Sequence, residues 1–138
     1  MSEMKIDIRK AGAVIIEDRK LLVSRSFGKD IFIAPGGKLE TGETGIDACI
    51  RELSEEHGIL VRPEDLEFVD TFYAPAAGNE TSMLAMEIYR VNKYEGVIEP
   101  KSEVEEIRWI TSEDIDLKIG SIILHDVIPV LKKDNLID

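Results

Sequence analysis

The stretch GKLETGETGIDACIRELSEEHGI, residues 37–59, decides how this chain folds. Its second half predicts one helix, from about Thr44 to His57. Thr44 is a residue type that caps helix starts, Asp47 follows three positions on, and Gly58 is a residue type that commonly ends a helix. The helix therefore has a defined start and a defined end.

Three glutamates of this helix share one face. At about 100° per residue, Glu52, Glu55 and Glu56 fall together, beside a stripe of apolar residues that can pack on a sheet. Two carboxylates about 5–6 Å apart repel by roughly 3 kcal/mol at an effective dielectric of about 20, and water and salt reduce this repulsion on an open surface. Either a solvated acidic face or a site for hard divalent cations explains the three glutamates.

Length and composition indicate one domain that spans residues 1–138. With 138 residues, of which 43% are hydrophobic, the chain is long enough for one core and too short for two. We expect a cytoplasmic protein without a membrane partner, because the apolar runs are short, no signal peptide is recognisable and the single cysteine cannot form an internal disulfide. The net charge of −11 argues against nucleic acid as a partner, and we expect divalent cations to offset the charge of any phosphate-bearing ligand.

The remaining segments predict a mixed α/β protein with a helix at its end. Residues 11–16 and 21–24 predict a hairpin, and residues 31–33 a short strand that ends at the breaker Pro35-Gly36-Gly37. The other predicted elements are strands at residues 66–74 and 82–92, a polar loop at 93–100, a strand at 104–110, the start of a short helix at 112–116 and an amphipathic helix at 120–133. Pro129 lies inside the last helix and should kink or split it.

Residues 37–59 resemble the Nudix box, the signature of the Nudix hydrolases. They carry its fixed positions in the order Gly37-x5-Glu43-x7-Arg51-Glu52-Leu53-x-Glu55-Glu56-x-Gly58-Ile59. The flanking strand pattern and the segment SEVEEIRWI (102–110) also resemble small, MutT-like members, so the resemblance extends over most of the chain. It implies the Nudix fold, an α/β/α sandwich around a central mixed β-sheet with the Nudix loop–helix–loop.

The resemblance implies a divalent-metal site at the diphosphate of the substrate. Its implied ligands are the carboxylates of Glu52, Glu55 and Glu56, the carbonyl of Gly36 and, outside the box, Glu103. Glu105 and Glu106 compete with Glu103 for the last of these positions. The expected ion is Mg²⁺, with Mn²⁺ as the alternative.

The candidate catalytic residues are Glu52, Glu55 and Arg51. Glu52 is the candidate general base, although other members of the family use an acid outside the box. Arg51 would form with Glu43 the ion pair that braces the loop on the helix, and its charge lessens the repulsion between the acids. The candidate substrate-binding residues are Arg25, Lys38 and Gly37, although a solvated surface cation explains Arg25 and Lys38 equally well.

Four other side chains are interpreted more simply. Trp109 and Phe72 could stack on a base, but a single aromatic residue in a strand more often belongs to the core. His57 lies on the core side of the helix and is interpreted as structural. No role is assigned to His125.

The implied reaction is hydrolysis of a nucleoside diphosphate linked to a further group, with water attacking a phosphorus of the diphosphate. The expected partner is a small-molecule nucleotide, and the expected state is a monomer or homodimer. The short chain and the style of the box favour a MutT-like nucleoside triphosphate pyrophosphohydrolase, which releases a nucleoside monophosphate and pyrophosphate. Oxidised nucleotides are one option for its substrate.

Two alternatives stay open. Pro75 falls at the spacing after the box at which hydrolases of ADP-ribose and related nucleotide sugars tend to carry a proline, although a proline in a turn is common for other reasons. The segment KIGSII (118–123) lacks the asparagine with which MutT-type enzymes read an oxidised guanine.

The alternative of another class is a catalytically silent Nudix domain that binds a nucleotide as a sensor, although such domains usually lose box glutamates and this chain keeps them.

Overall fold

The computed structural model describes residues 6–76, 79–114 and 116–138, with the backbone alone at residues 76 and 79–81. In these ranges the strands form a four-stranded mixed sheet and a three-stranded sheet. The first sheet contains, in spatial order, β4 (Gly36–Lys38), β1 (Ile6–Val14), β6 (Asn79–Val91) and β5 (Leu66–Ala76). The second contains β2 (Ile16–Glu17), β3 (Lys20–Ser26) and β7 (Val104–Ile110).

Strand β1 lies inside the first sheet, parallel to β6 and antiparallel to β4. Its residues 11–14 are buried, as expected for a strand covered on both faces. The chain then passes at Ile15 into β2, which forms a hairpin with β3 around Asp18 and Arg19, both at positive φ (50° and 62°) as tight hairpin turns require. The predicted N-terminal hairpin is therefore correct only at its tip, because residues 11–14 pair with β4 and β6 instead.

Helix α1 (Gly45–His57) has the predicted position and the predicted ends. The Thr44 hydroxyl accepts a hydrogen bond from the amide of Asp47, and the Asp47 carboxylate accepts one from the amide of Thr44, both at 3.1 Å. Gly58 ends the helix in the left-handed conformation, at φ 69°. The apolar stripe of α1 packs on one face of the first sheet.

The C-terminal segment covers the opposite face of that sheet. Residues 121–133 are helical, with a wide π turn (Ile123–Val127) followed by α2 (Ile128–Lys133). Pro129 explains the wide turn, because proline has no N–H to donate and its ring would clash with the carbonyl four residues earlier in a regular α-helix. The buried side chains of this segment join the core on their side of the sheet, which confirms the α/β/α sandwich. None of the helices in the described ranges is long and apolar enough to cross a membrane.

Three short elements differ from the prediction. Residues 31–33 form isolated bridges instead of a strand, Ser24 with Ile33 and Phe32 with Ile119. The predicted breaker at residues 35–37 contributes its two glycines to β4. Residues 112–114 form a turn and not a helix start, since the Asp114 carboxylate accepts the amide hydrogen of Thr111; Ile115 lies outside the described residues. The remaining predicted strands are present, and β7 has the predicted limits.

Candidate active site

Three carboxylates from distant parts of the chain converge beside strand β4. Glu52 and Glu56 project from α1, and Glu103 immediately precedes β7. One carboxylate oxygen of each lies within 4.8 Å of the other two. Glu52 and Glu56 are only 9% and 7% exposed, whereas Glu103 is exposed. Hard divalent cations prefer such oxygen ligands, so this acid cluster (Glu52, Glu56 and Glu103) fits the metal that the resemblance implies.

Two glycines of β4 bring the backbone against the acid cluster. The amide of Gly36 donates a hydrogen bond of 2.9 Å to Oε1 of Glu56. A Cβ at Gly37 would lie 2.7 Å from the carboxylate carbon of Glu52, and a Cβ at Gly36 would lie 2.0 Å from the carbonyl oxygen of Ala11. Gly36 therefore leaves no room for a side chain against the backbone of β1, whereas a side chain at Gly37 would displace the Glu52 carboxylate.

Arg51 ties the loop of the box to helix α1. Its guanidinium donates two hydrogen bonds to the Glu43 carboxylate, from Nε at 2.8 Å and from Nη2 at 3.0 Å. It also donates to Glu52 at 2.7 Å and to the carbonyl of Lys38 at 3.1 Å. Glu55 lies outside the acid cluster, with 55% of its side chain exposed and one oxygen 3.4 Å from Arg51. The expected ion pair of Arg51 with Glu43 is present. Arg51 also fixes the orientation of the Glu52 carboxylate.

The surroundings of these acids change their pKa values in opposite directions. Burial raises the pKa of Glu56 to about 8, and the charges of Glu52 and Glu103 add to this rise while the Gly36 amide opposes it. Burial also raises the pKa of Glu52, against the effect of Arg51. The hydrogen bonds from Arg51 lower the pKa of Glu43 to about 2. The buried part of the acid cluster therefore favours a neutralising charge, either a proton or a cation.

Arg25 is engaged by two acids of the segment that contains Glu103. Its Nη1 lies 2.6 Å from Oε1 of Glu105, its Nη2 lies 3.2 Å from Oε1 of Glu106, and the guanidinium is 6.0 Å from the centre of the Phe32 ring. The ion pairs of Arg25 with Glu105 and Glu106 connect β3 to β7. Of the three competing acids, the structure brings Glu103 to the cluster and pairs the other two with Arg25. The arrangement gives no support to a substrate contact by Arg25.

A pocket of about 500 Å³ opens on the face of the first sheet that carries the C-terminal helix. Its apolar wall comes from β5, β6 and the start of that helix, and includes Ala74, Pro75, Leu84, Met86, Ile122 and Ile123. Among the described residues that line it, the charged ones are Lys10 and Lys29. The pocket therefore combines apolar surface with positive charge, in a protein whose net charge is −11.

Lys10 is a candidate residue that the sequence analysis missed. It is half-buried on β1, directly opposite Lys38 of β4 in the strand register. Burial lowers the pKa of Lys10, and the charges of Lys38 and Lys29 lower it further, while the charge of Glu56 opposes them. The mixed-charge segment IDIRK (6–10) hides its role. The alternation of Ile6, Ile8 and Lys10 in the sequence could have indicated the position of Lys10. It predicts that Lys10 shares the less exposed face of the strand with the two isoleucines, as the structure has it.

The remaining predicted candidates lie in the core or at the surface. His57 is fully buried, and its Nδ1 lies 3.0 Å from the carbonyl oxygen of Glu99, which is consistent with a structural role. Phe72 and Trp109 pack against the two cores on opposite sides of the fold, as expected for core aromatics. His125 is exposed.

Comparison with known proteins identifies the family. The family model of the NUDIX domain matches residues 7–130. An uncharacterized Nudix hydrolase, YvcI, of Bacillus subtilis (strain 168) is 32% identical over 107 residues, which are 78% of this chain and 68% of that protein. An oxidized purine nucleoside triphosphate hydrolase of Danio rerio is 38% identical over 94 residues, which are 67% of this chain and 54% of that protein. The solution structure of the E. coli ORF135 protein has the same fold, with a TM-score of 0.73 at 24% identity and coverage of 98% of this chain and 96% of that chain. The chain therefore belongs to the Nudix domain family and is a hydrolase acting on phosphoric anhydride bonds.

Proposed function

We propose that this protein hydrolyses nucleoside triphosphates to a nucleoside monophosphate and pyrophosphate in a reaction that depends on a divalent cation. The observation that carries the proposal is the acid cluster, and it is supported by a pocket of about 500 Å³ whose lining includes Lys29 and Lys10, on which the charge of Glu56 acts. Buried carboxylates supply the ligands for a cation, and lysines supply counter-charges for phosphates. The similarity to the triphosphate hydrolase of Danio rerio supports the same substrate class.

Glu52, Glu56 and Glu103 would hold the cation, together with the carbonyl of Gly36. Mg²⁺ is the proposed ion and Mn²⁺ the alternative; when bound, it would neutralise the diphosphate and stabilise the charge that develops at the attacked phosphorus. Gly36 and Gly37 carry no side chain, so their backbone leaves the phosphates access to the acids. Lys38 is exposed on the same strand and is proposed to contact phosphate.

Glu52 is the proposed acceptor of the proton of the attacking water. Its carboxylate belongs to the acid cluster, where the cation and the diphosphate would bind, and the hydrogen bond from Arg51 holds that carboxylate in place. Glu55 is the second candidate, because it is exposed and close to the same arginine. Arg51 is proposed to position these carboxylates and to keep the loop on the helix.

ADP-ribose or a related nucleotide sugar is the second candidate substrate class. The observation that favours it is the position of Pro75, which lines the pocket and pairs with Met83 in the β5–β6 ladder. A proline so placed shapes the pocket wall, and the apolar surface there suits the uncharged sugar of ADP-ribose. The two classes differ in charge, which the lysines of the pocket would distinguish.

The test is an activity panel with Mg²⁺ that contains normal and oxidised nucleoside triphosphates, ADP-ribose, nucleotide sugars and dinucleoside polyphosphates. Products are resolved by chromatography, with Glu52→Gln as the inactive control and Glu105→Gln as a matched variant outside the acid cluster. We expect pyrophosphate from triphosphates, lost in Glu52→Gln and kept in Glu105→Gln. AMP from ADP-ribose, with triphosphates inert, would favour the second class. Nucleotide binding without any turnover that is sensitive to Glu52→Gln would overturn the enzymatic proposal in favour of a sensor.

A further inference from the structure

Positive charge is concentrated where the first sheet borders the pocket. Lys10 on β1 and Lys38 on β4 are direct partners in the antiparallel register, and Lys10 shares the pocket with Lys29. Like charges that face each other on neighbouring strands destabilise a sheet. A local arrangement that opposes stability is expected mainly where a ligand compensates for it.

In the described part of the chain, no ion pair neutralises these lysines. The ammonium groups of Lys10 and Lys29 form no ion pair with a carboxylate of the described residues, although the charge of Glu56 acts on Lys10 from the side of the acid cluster. Lys10 is also half-buried, which disfavours an unpaired ammonium group. An anion that enters the pocket would therefore meet two cations and apolar surface.

We infer that Lys10, together with Lys29, binds a negatively charged group of the substrate that lies outside the diphosphate to be cleaved, and so selects substrates whose further group is a phosphate. The inference rests on the proposed function, because it assigns the specificity of that same site. A nucleoside triphosphate has such a phosphate. ADP-ribose has an uncharged sugar in its place. Lys10 thus favours the triphosphate over the nucleotide sugar.

A simpler role for Lys10 would be that of a counter-ion for Glu56. In that case its removal would change cation binding, and it would affect all substrates by the same factor. A role in selection instead predicts an effect that depends on the group attached to the diphosphate. ATP and ADP-ribose share the ADP portion and differ in that group, so they form a matched pair of probes.

The test measures the binding of ATP and of ADP-ribose by titration calorimetry at saturating Mg²⁺, in Glu52→Gln protein so that neither probe is consumed. Lys10→Met is added to this background, with Lys10→Arg as the conservative variant. Lys93→Met, an exposed lysine outside the pocket, makes the same change of net charge and serves as the control. We expect Lys10→Met to lower the ratio of ATP affinity to ADP-ribose affinity about tenfold or more, and Lys10→Arg to preserve most of it.

An unchanged ratio would overturn the inference, whether both affinities stay constant or both fall together. An unchanged ratio in Lys93→Met is required for the result to be assigned to the pocket. The outcome is separate from that of the activity panel, since loss of all Glu52-dependent turnover would refute the proposed reaction and leave the ratio measurable. With turnover established, the same ratio of kcat/KM values should fall in Lys10→Met, mainly through KM for the triphosphate.

Discussion

Gly37 lies so close to Glu52 that a Cβ at this position would be 2.7 Å from the carboxylate carbon and 2.7 Å from Oε1. Gly37 belongs to β4 and Glu52 to α1, and the loop of the box lies between these two elements in the sequence. Because Arg51 holds the same carboxylate at 2.7 Å, Glu52 is fixed between a backbone and a guanidinium. The proposed base therefore has little freedom to move, which is the condition for precise proton transfer.

Gly37→Ala should displace the Glu52 carboxylate and reduce kcat/KM by about a hundredfold, since a displacement of about 1 Å at a reacting group has that effect. Gly28→Ala is the control, because Gly28 has open space around it and φ of 76°. It should cost about 1 kcal/mol of unfolding free energy without loss of activity. Steady-state kinetics and chemical denaturation measure the two effects. Normal activity of a folded Gly37→Ala protein would contradict the proposed role of this contact.

Glu103→Gln should weaken the binding of Mg²⁺ about tenfold or more, because it removes one of three carboxylates whose oxygens lie within 4.8 Å of one another. Glu105→Gln should leave cation binding nearly unchanged, since it breaks an ion pair with Arg25 and does not touch the cluster. The Mg²⁺ concentration for half-maximal activity distinguishes the two variants. Equal effects would remove Glu103 from the proposed ligand set.

The stability of the cation-free protein should fall as the pH rises from about 4.5 to about 8. The reason is that folded Glu56, whose pKa is raised to about 8, retains a proton that the unfolded chain has lost above its usual value of 4.5. Mg²⁺ replaces that proton, so the increase in Tm on adding Mg²⁺ should be larger at pH 8.5 than at pH 5.5. Thermal unfolding in chelator and in Mg²⁺ measures this. Glu56→Gln should flatten the pH dependence, and an equal Mg²⁺ effect at both pH values would contradict the account.

Glu43 should contribute the opposite pH dependence at lower pH. Its pKa of about 2 in the folded state lies below the usual value of 4.5, so the unfolded chain binds the additional proton. The stabilisation from its pairing with Arg51 is therefore complete above about pH 4.5 and is lost as the pH falls toward 2. Denaturation curves of wild type and Glu43→Gln should accordingly converge as the pH falls through this window. A difference in stability that stays constant down to pH 2 would contradict the prediction.

Helix α1 was predictable because its signals are local. The capping residues Thr44 and Asp47 and the terminal Gly58 act within a few positions of the helix ends, and the pattern of the box includes the glutamates that the fold later brings to the cluster. The limits of β7 were predictable for a similar reason, since its bulky apolar residues, Val104, Ile107, Trp109 and Ile110, all fall within seven positions of the sequence.

What the sequence did not reveal depends on pairing between distant segments. Residues 36–38 contain two glycines and resemble a breaker, yet they pair with β1 as β4, where a side chain at Gly36 would meet the backbone of β1. The choice among Glu103, Glu105 and Glu106 depends on Arg25, which reaches two of them only once β3 and β7 are paired. Lys10 can be recognised as a candidate binding residue only in the folded chain, because β4 then places Lys38 opposite it and the C-terminal helix forms part of its pocket.

The passage of the chain at Ile15 from the first sheet to the second has a mechanical consequence for the site. Glu52 and Glu56 belong to the helix packed on the first sheet, whereas Glu103 introduces a strand of the second. A cation shared by these carboxylates would act as a removable cross-link between the two sheets, in addition to the covalent link at Ile15. Its binding should slow amide exchange together at the end of α1 and the start of β7, the two segments that would supply its ligands.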